Sequence, residues 1–335
     1  MFLMILAVTL LFLFIASSLI LKQARVKDGA GTTNRYNFKG LSPAIIISKI
    51  LWAVVGTVVI IYCLTLFVPL IWMLYNSVKD PLIWDFPGAS KFALPELNNL
   101  HFEHYLQVLQ KFEVSQGSFT YGILDMFANS LYYAAVAPAI SVGWMTLVAY
   151  VLSRYDFFGS KFLYGLGIII MMVPISGSAA SQMIILQRWG LYDKMYIKVL
   201  IPPATAFSGL YFMIIYGALK AIPLTYSEAA QIDGANHYRV MFAVILPMAL
   251  PTIATIYILS FIADWNNYEM FLIWYPSTPN LSYGMYRMGR DLTSKNLSQV
   301  HIFAGYAIII VPSMVLYLAG QKMMRSNFMV GGLKG

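Results

Sequence analysis

The chain reads as an all-α integral membrane protein, a polytopic helical bundle of seven spans. Its charges are few, they are clustered, and the intervals between clusters match a bilayer. Of 335 residues, 59% are hydrophobic and 11% charged, whereas roughly a quarter of an ordinary soluble domain is charged. A helix needs about 20 apolar residues to cross the hydrocarbon core. Seven stretches free of Asp, Glu, Lys, Arg and His meet that length: residues 2–21, 50–77, 126–153, 162–187, 199–219, 240–263 and 302–321.

The first stretch lacks the basic start and small-residue cleavage site of a signal peptide. It reads as a retained anchor, which with a basic linker makes residues 1–49 an N-terminal extension. Residues 50–335 form the main transmembrane domain. The second stretch holds Cys63, the sole cysteine, so an intrachain disulfide and a cysteine-based metal cluster are excluded.

The connection 78–125 carries six acidic and three basic residues and is interrupted by Pro81, Pro87 and Pro95. It is too small for an independent catalytic domain. Within it, Tyr105, Leu106, Val108 and Leu109 have helical spacing, and residues 104–111 read as a short amphipathic helix at the outer surface. His101, Glu103 and His104 lie close together, but no further ligands follow at metal-protein spacing; the sequence reads no metal site there. Residues 270–286 also lack charge, yet they are short, contain Pro276 and Pro279, and are rich in Ser, Thr and Asn. They read as an extracytoplasmic loop.

Basic residues collect in cytoplasmic connections. The set formed by residues 22–49, 154–161, 220–239 and the tail after 321 carries thirteen basic and four acidic residues, and the opposite set nine and ten. This places the amino terminus outside and the carboxyl terminus inside. It also puts the net charge of +8 on the cytoplasmic face without any need for nucleic acid.

The seven stretches hold none of the intramembrane charges that mark ion relays in secondary carriers. The chain also has no Gly-x-x-x-x-Gly-Lys-Ser/Thr loop to cradle nucleotide phosphates. A pump built on this chain takes its energy from another polypeptide. The four histidines, His101, His104, His237 and His301, are scattered along the sequence with no acid, base and nucleophile set, which disfavours a membrane enzyme.

The connection 220–247 has a local design. Thr225 and Glu228 have capping-box spacing, so a helix is expected from about Tyr226. Asp233 and Gly234 stop it, since Gly reaches the left-handed conformation without a Cβ clash. A second helix resumes near Asn236 and runs into Leu246-Pro247, where proline admits a kink. Small residues, Ala229 and Ala230, allow close docking in a groove on a partner.

Glu228-Ala229-Ala230, Gly234 four residues on, and Val244-x-Leu246-Pro247 resemble the EAA loop of binding-protein-dependent ABC importer permeases, with Val244 in place of the usual Ile. The similarity runs from about residue 51 to the end and is greatest to the carbohydrate-uptake group that includes the maltose-system permease MalG. Ala128-Asn129-Ser130-Leu131, the stretch from Ala263 to Tyr268, and the tail Gly331-Gly332-Leu333-Lys334-Gly335 carry it further. Two features depart from the pattern: the extra span before residue 50, and Asn267 where the group often has Asp.

The resemblance implies a six-helix type I importer core plus the extra N-terminal helix. It also implies a heterodimer with a second permease, two ATPase subunits docking on the EAA loop, and an extracellular solute-binding protein. ATP and Mg²⁺ belong on the partner ATPase, and no cofactor is implied in this chain. The coupling residues are Glu228, Ala229, Ala230, Asp233, Gly234, Leu246 and Pro247.

Sugars offer hydroxyls and apolar C–H faces, so their sites combine amides, carboxylates and aromatic rings. Trp265, Asn266, Asn267, Tyr268 and Glu269 supply that set, with an interfacial aromatic belt as the equal alternative. Tyr211, Tyr216 and Tyr257 lie within spans, where a phenol meets either a polar cavity or a neighbouring helix. The competing functional readings are a secondary active transporter and an ABC permease for a non-sugar solute.

Overall fold

A computed structural model describes residues 51–335, apart from residues 89, 95–97, 117–118, 173–177, 202, 204–205, 293–296 and 331–335. It also describes the backbone of residues 25–27, 34–36 and 43–50, and side chains are described as far as residue 321. The expected first span lies outside the described residues. The chain divides into two compact units, one of Met1–Asn76 with Ser90–Pro95, the other of Ser77–Ala89 with Glu96–Gly335.

The first unit contains an antiparallel hairpin, β1 (Arg25–Lys27) with β2 (Asn34–Tyr36), in the register Arg25 to Tyr36. It also contains helix α1 (Pro43–Asn76). The membrane-length part of α1 is Leu51–Asn76, and it exposes Trp52, Val58, Tyr62, Leu66, Phe67 and Ile71. An apolar helix open on most of its surface suits lipid and not water. Near its end the Trp72 indole donates to the Lys91 carbonyl at 3.1 Å.

The second unit begins with α2 (Pro81–Asp85), capped by Asp80, and α3 (Glu103–Lys111). Helix α3 is the expected amphipathic helix, but its buried face is His104 and Val108, while Leu106 and Leu109 point outward. A short hairpin, β3 (Val114–Gln116) with β4 (Phe119–Tyr121), follows and leads into α4 (Ile123–Arg154). After α4 come α5 (Ser160–Met172), α6 (Ser178–Arg188) and α7 (Met195–Lys198). Helix α8 (Leu210–Ala221) leads to α9 (Thr225–Ile232). Helix α10 (His237–Arg239) passes through a π-helical segment, Val240–Ile245, into α11 (Leu246–Trp265). Helices α12 (Tyr268–Ile273), α13 (Leu281–Arg290) and α14 (Gln299–Val330) complete the chain.

Four described helical segments are long and apolar enough to cross a membrane: Leu51–Asn76, Ile123–Arg154, His237–Trp265 and Gln299–Gln321. The pair α8 and α9 makes a fifth if its 60° bend is counted within one span. Among the described residues, the expected span 199–219 is helical from Leu210, which follows Gly209 at φ +92°. The expected span 162–187 contains α5 and α6, and residues 173–177 between them lie outside the described residues. Helix α5, with 13 residues, is about 20 Å long at 1.5 Å per residue and does not reach across by itself.

Helix α4 carries two cores in succession. Its first half, with Met126, Tyr133 and Ala134, packs among Phe261, Trp265, Phe271, Leu281, Met285 and Ile302. Its second half, with Val142, Ala149 and Tyr150, packs among Phe212, Ile215, Leu219, Val240, Ile245 and Ala249. Polar bonds fix the helices where hydrocarbon alone gives little register. The Tyr257 hydroxyl donates to the Ala135 carbonyl at 3.2 Å and the Trp265 indole to the Ile309 carbonyl at 3.2 Å. Gly320 of α14 meets the Ile258 side chain of α11 so closely that an added Cβ would overlap it.

The region 270–286, expected as a loop, holds α12 and α13. Pro276 and Pro279 lie between the two helices and not within either. The Asn267 and Asn280 side chains cap the helices, accepting from the amides of Met270 at 3.0 Å and Tyr283 at 2.8 Å. The Asn signal for a helix start was present in the sequence but was outweighed by the prolines.

Candidate functional site

The segment expected to couple is an exposed helical hairpin standing on the second core. Helix α8 ends at Ala221 and Pro223 enforces the turn, after which α9 runs to Ile232. The expected capping box is not formed. Leu224 takes helical dihedrals and is the cap residue, with no side-chain cap bond. The helix therefore starts one residue before the box requires, and Thr225 is its first residue. Of the amides that the box would satisfy, Glu228 N is already bonded to the Leu224 carbonyl at 3.1 Å. Among the described residues the exposed Glu228 carboxylate has no hydrogen bond or ion pair.

The end of α9 is as expected. Gly234 has φ +81°, Gly234 N bonds the Gln231 carbonyl and Ala235 N the Ala230 carbonyl, each at 2.9 Å. This is a Schellman closure, in which the left-handed residue turns the last amides back onto the helix. Asn236 then caps the next turn, accepting from Arg239 N at 2.8 Å.

The two faces of α9 are distinct. Ala230 is half-buried and, with Ala235, Val244 and Leu246, packs against the second core. Glu228, Ala229, Asp233 and Gly234 are exposed, and Ile232 and Tyr238 are 86% and 75% exposed. An Ile left so open beside a carboxylate and a small Ala is a surface of mixed chemistry suited to another protein. Pro247 is exposed and lies two residues past Ile245, the end of the π-helical segment. Its ring cannot pack under a regular α-turn, and the wider π-turn before it gives the ring room.

Two contacts tie the hairpin to α4. The Arg154 guanidinium donates to the Leu219 carbonyl at 2.7 Å, and the Tyr155 hydroxyl meets His237 Nδ1 at 3.3 Å. Neither residue stood out in the sequence. A cation just past a predicted span, near the end of another helix, was the available signal.

The cluster at 265–269 divides. Trp265 is 1% exposed and sits in the first core, stacked on Phe261. Asn267 is used as the cap of α12, and Tyr268 stacks on Tyr286 at 4.8 Å. Asn266 and Glu269 are exposed. Nearby, burial and secondarily the Asp264 carboxylate push the Tyr275 phenol up to about 12, so it stays a neutral hydroxyl at physiological pH. Of the tyrosines within spans, Tyr257 bonds a neighbouring helix as described, and Tyr216 stacks on Tyr164 at 4.3 Å and accepts from Lys220. Asn129 and Ser130 hold the approach to α13: Asn129 Nδ2 donates to the Pro279 carbonyl at 2.9 Å, and Ser130 Oγ accepts from Leu281 N at 2.8 Å.

Membrane-length helices that carry one exposed, glycine-closed hairpin of mixed chemistry define a membrane protein with a docking surface for another protein. The chain is a member of the family described as binding-protein-dependent transport system inner membrane component, whose profile matches residues 125–327. It is therefore an inner-membrane transport subunit of a bacterial ABC importer, in which ATP hydrolysis falls to a separate partner.

Among curated relatives it is 29% identical over 216 residues to the arabinooligosaccharides transport system permease protein AraQ of Halalkalibacterium halodurans, covering 62% of this chain and 74% of the relative. It is 25% identical over 279 residues to the diacetylchitobiose uptake system permease protein NgcG of Streptomyces coelicolor, covering 81% and 85%. Among solved structures, a chain of a bacterial ABC transporter involved in the import of the acidic polysaccharide alginate has the same fold. Its TM-score is 0.63 at 21% identity, with 82% of this chain and 97% of that one covered.

Proposed function

We propose that this chain is one of two permeases that together line the translocation pathway of an ATP-driven importer for an oligosaccharide or related sugar. An extracellular binding protein delivers the sugar. The observation that carries the transport role is α9, a helix with no buried residue that offers Glu228, Ala229 and Ile232 outward while Ala230 anchors it. ATPase closure would move this hairpin as a rigid lever and switch the pathway between inward and outward access. ATP and Mg²⁺ are held by the docking ATPase subunits. The sugar class is supported by the relatives, which are named for arabinooligosaccharides and diacetylchitobiose.

The topology that goes with this reading is seven spans, amino terminus out and carboxyl terminus in, with residues 78–125 outside and residues 220–247 cytoplasmic. The charge asymmetry supports it. For cargo contact, Asn266, Tyr268 and Glu269 are the accessible members of the cluster. Trp265 and Asn267 support them from the core and the cap.

Reconstitution tests the proposal. The chain with its partner permease, ATPase and binding protein should accumulate labelled oligosaccharide in vesicles only with ATP, and the chain alone should not respond to an ion gradient. Accumulation by the chain alone under a gradient would establish the secondary-carrier reading instead.

A further inference from the structure

Three of the chain's four histidines, separated by up to two hundred positions, meet in one cleft of about 690 Å³. His101 precedes α3, His104 lies in its first turn, and His301 lies in the first turn of α14. The His101 and His104 rings are 5.5 Å apart and nearly parallel, and His104 and His301 are 4.6 Å apart. Asp80, the cap of α2, completes the rim.

In the neutral rings the hydrogen bonds fix which nitrogen carries the proton. His104 Nδ1 is 2.9 Å from the Ser77 carbonyl; a carbonyl only accepts, so Nδ1 donates and Nε2 keeps its lone pair. His101 Nδ1 is 3.1 Å from the Glu103 carboxylate, so it too donates and leaves Nε2 as the electron-pair donor. That Nε2 is buried without a hydrogen-bond partner among the described residues. It faces Asp80 Oδ2 at 3.9 Å, beyond the 2.7–3.2 Å of a hydrogen bond. His301 differs, because Ser298 N donates to its Nδ1 at 3.1 Å and its Nε2 donates to Gln107 Oε1 at 2.9 Å. Both of its nitrogens are in use.

We propose that His101, His104 and Asp80 form a site for a divalent transition metal of the Zn²⁺ type, with Glu103 and the Ser77 carbonyl orienting the two imidazoles. The His101 Nε2 lone pair and the Asp80 carboxylate oxygen face each other across 3.9 Å. Ligands of tetrahedral zinc, at about 2.0–2.2 Å from the metal, lie roughly 3.4 Å apart. Ligand-capable atoms of His101 and His104 lie within 4.8 Å of one another, in a group that also includes Glu103, so the two imidazoles are close enough to share one ion. Asp80 lines the same cleft and reaches His101 at 3.9 Å, and the cleft leaves a fourth position to water. Imidazole that donates its second nitrogen to a carboxylate or carbonyl is the usual arrangement of a metal-bound histidine. The mixture of nitrogen and carboxylate favours zinc-like ions over Mg²⁺ or Ca²⁺. The sequence shows only the His101, Glu103 and His104 group; Asp80 is brought to it by folding.

The test uses the full-length chain in nanodiscs, without a polyhistidine tag. Zn²⁺ affinity is measured by competition with a chromophoric chelator, and Co²⁺ is added as a spectroscopic substitute. The expected result is one Zn²⁺ per chain at micromolar affinity or tighter, a Co²⁺ visible spectrum of low-coordinate nitrogen and oxygen ligation, and no response to Mg²⁺. His101→Gln and Asp80→Asn, both partly exposed positions, should each weaken binding at least tenfold while melting like the wild type without metal. Glu103→Gln should cost about tenfold through the lost orientation of His101. His237→Gln, which changes the remaining histidine, should leave Zn²⁺ affinity unchanged. Absence of stoichiometric binding, or equal binding in His101→Gln and Asp80→Asn, would overturn the site.

Discussion

The guanidinium of Arg154, at the end of α4, donates to the carbonyl of Leu219, in the last turn of α8, at 2.7 Å. It places a positive charge against the carbonyl end of α8, where the helix dipole is negative. Three residues beyond Leu219 the chain leaves the helix for the hairpin that carries α9. The bond thus joins the second core to the base of the hairpin.

Replacing this donor leaves the Leu219 carbonyl with the Ile222 amide, at 3.3 Å, as its remaining partner. Arg154→Gln should destabilise the chain by about 1.5–3 kcal/mol, the range for hydrogen bonds to charged groups. The readout is a lower thermal unfolding midpoint in detergent, with weaker ATPase stimulation in the assembled complex. An unchanged midpoint would mean that the bond does not hold the hairpin.

Gly234 has φ +81°, and an added Cβ meets no neighbouring atom there. Any cost of substitution is therefore conformational and not steric. Gly234→Val should cost about 1–2 kcal/mol, the penalty of left-handed backbone for an L-residue. Because α9 has no buried residue, the loss should show as uncoupled ATP hydrolysis more than as global unfolding.

Much of this architecture was legible in the sequence, and the failures have physical causes. Charge-free stretches located α1, α4, α11 and α14 because the length of an apolar run is set by the bilayer. Glycine at 234 marked the end of α9 because few residues take its conformation. The capping box failed because Leu224 already takes helical dihedrals, and spacing does not reveal where helical dihedrals begin. The helices α12 and α13 were obscured by Pro276 and Pro279, which separate them. The cluster at 265–269 looked uniform as a string, whereas folding buries Trp265 and exposes Glu269.

That division yields separate phenotypes. Trp265→Ala removes a fully buried ring and should destabilise by about 3–5 kcal/mol, seen as loss of assembled complex. Asn266→Ala and Glu269→Gln alter exposed side chains and should assemble normally with basal ATPase activity intact while sugar uptake falls. Wild-type uptake in both would remove the cluster from the cargo path.

Sidedness can be read with single cysteines. Cys63 is the chain's sole cysteine, so Cys63→Ser gives a clean background. In intact cells a membrane-impermeant maleimide should label Leu94→Cys but not Ile232→Cys, and inverted vesicles should reverse the pattern. Labelling of both positions from outside would refute the proposed orientation.

Glu228 tests the central claim most directly. Its carboxylate caps no helix here, so Glu228→Ala and Glu228→Gln should both fold and melt like the wild type. In the reconstituted complex, ATPase activity stimulated by the loaded binding protein should fall sharply in Glu228→Ala, with sugar uptake falling in parallel. Full stimulation and full uptake in Glu228→Ala would contradict the assignment of this hairpin face as the point where ATP hydrolysis is transmitted to the pathway.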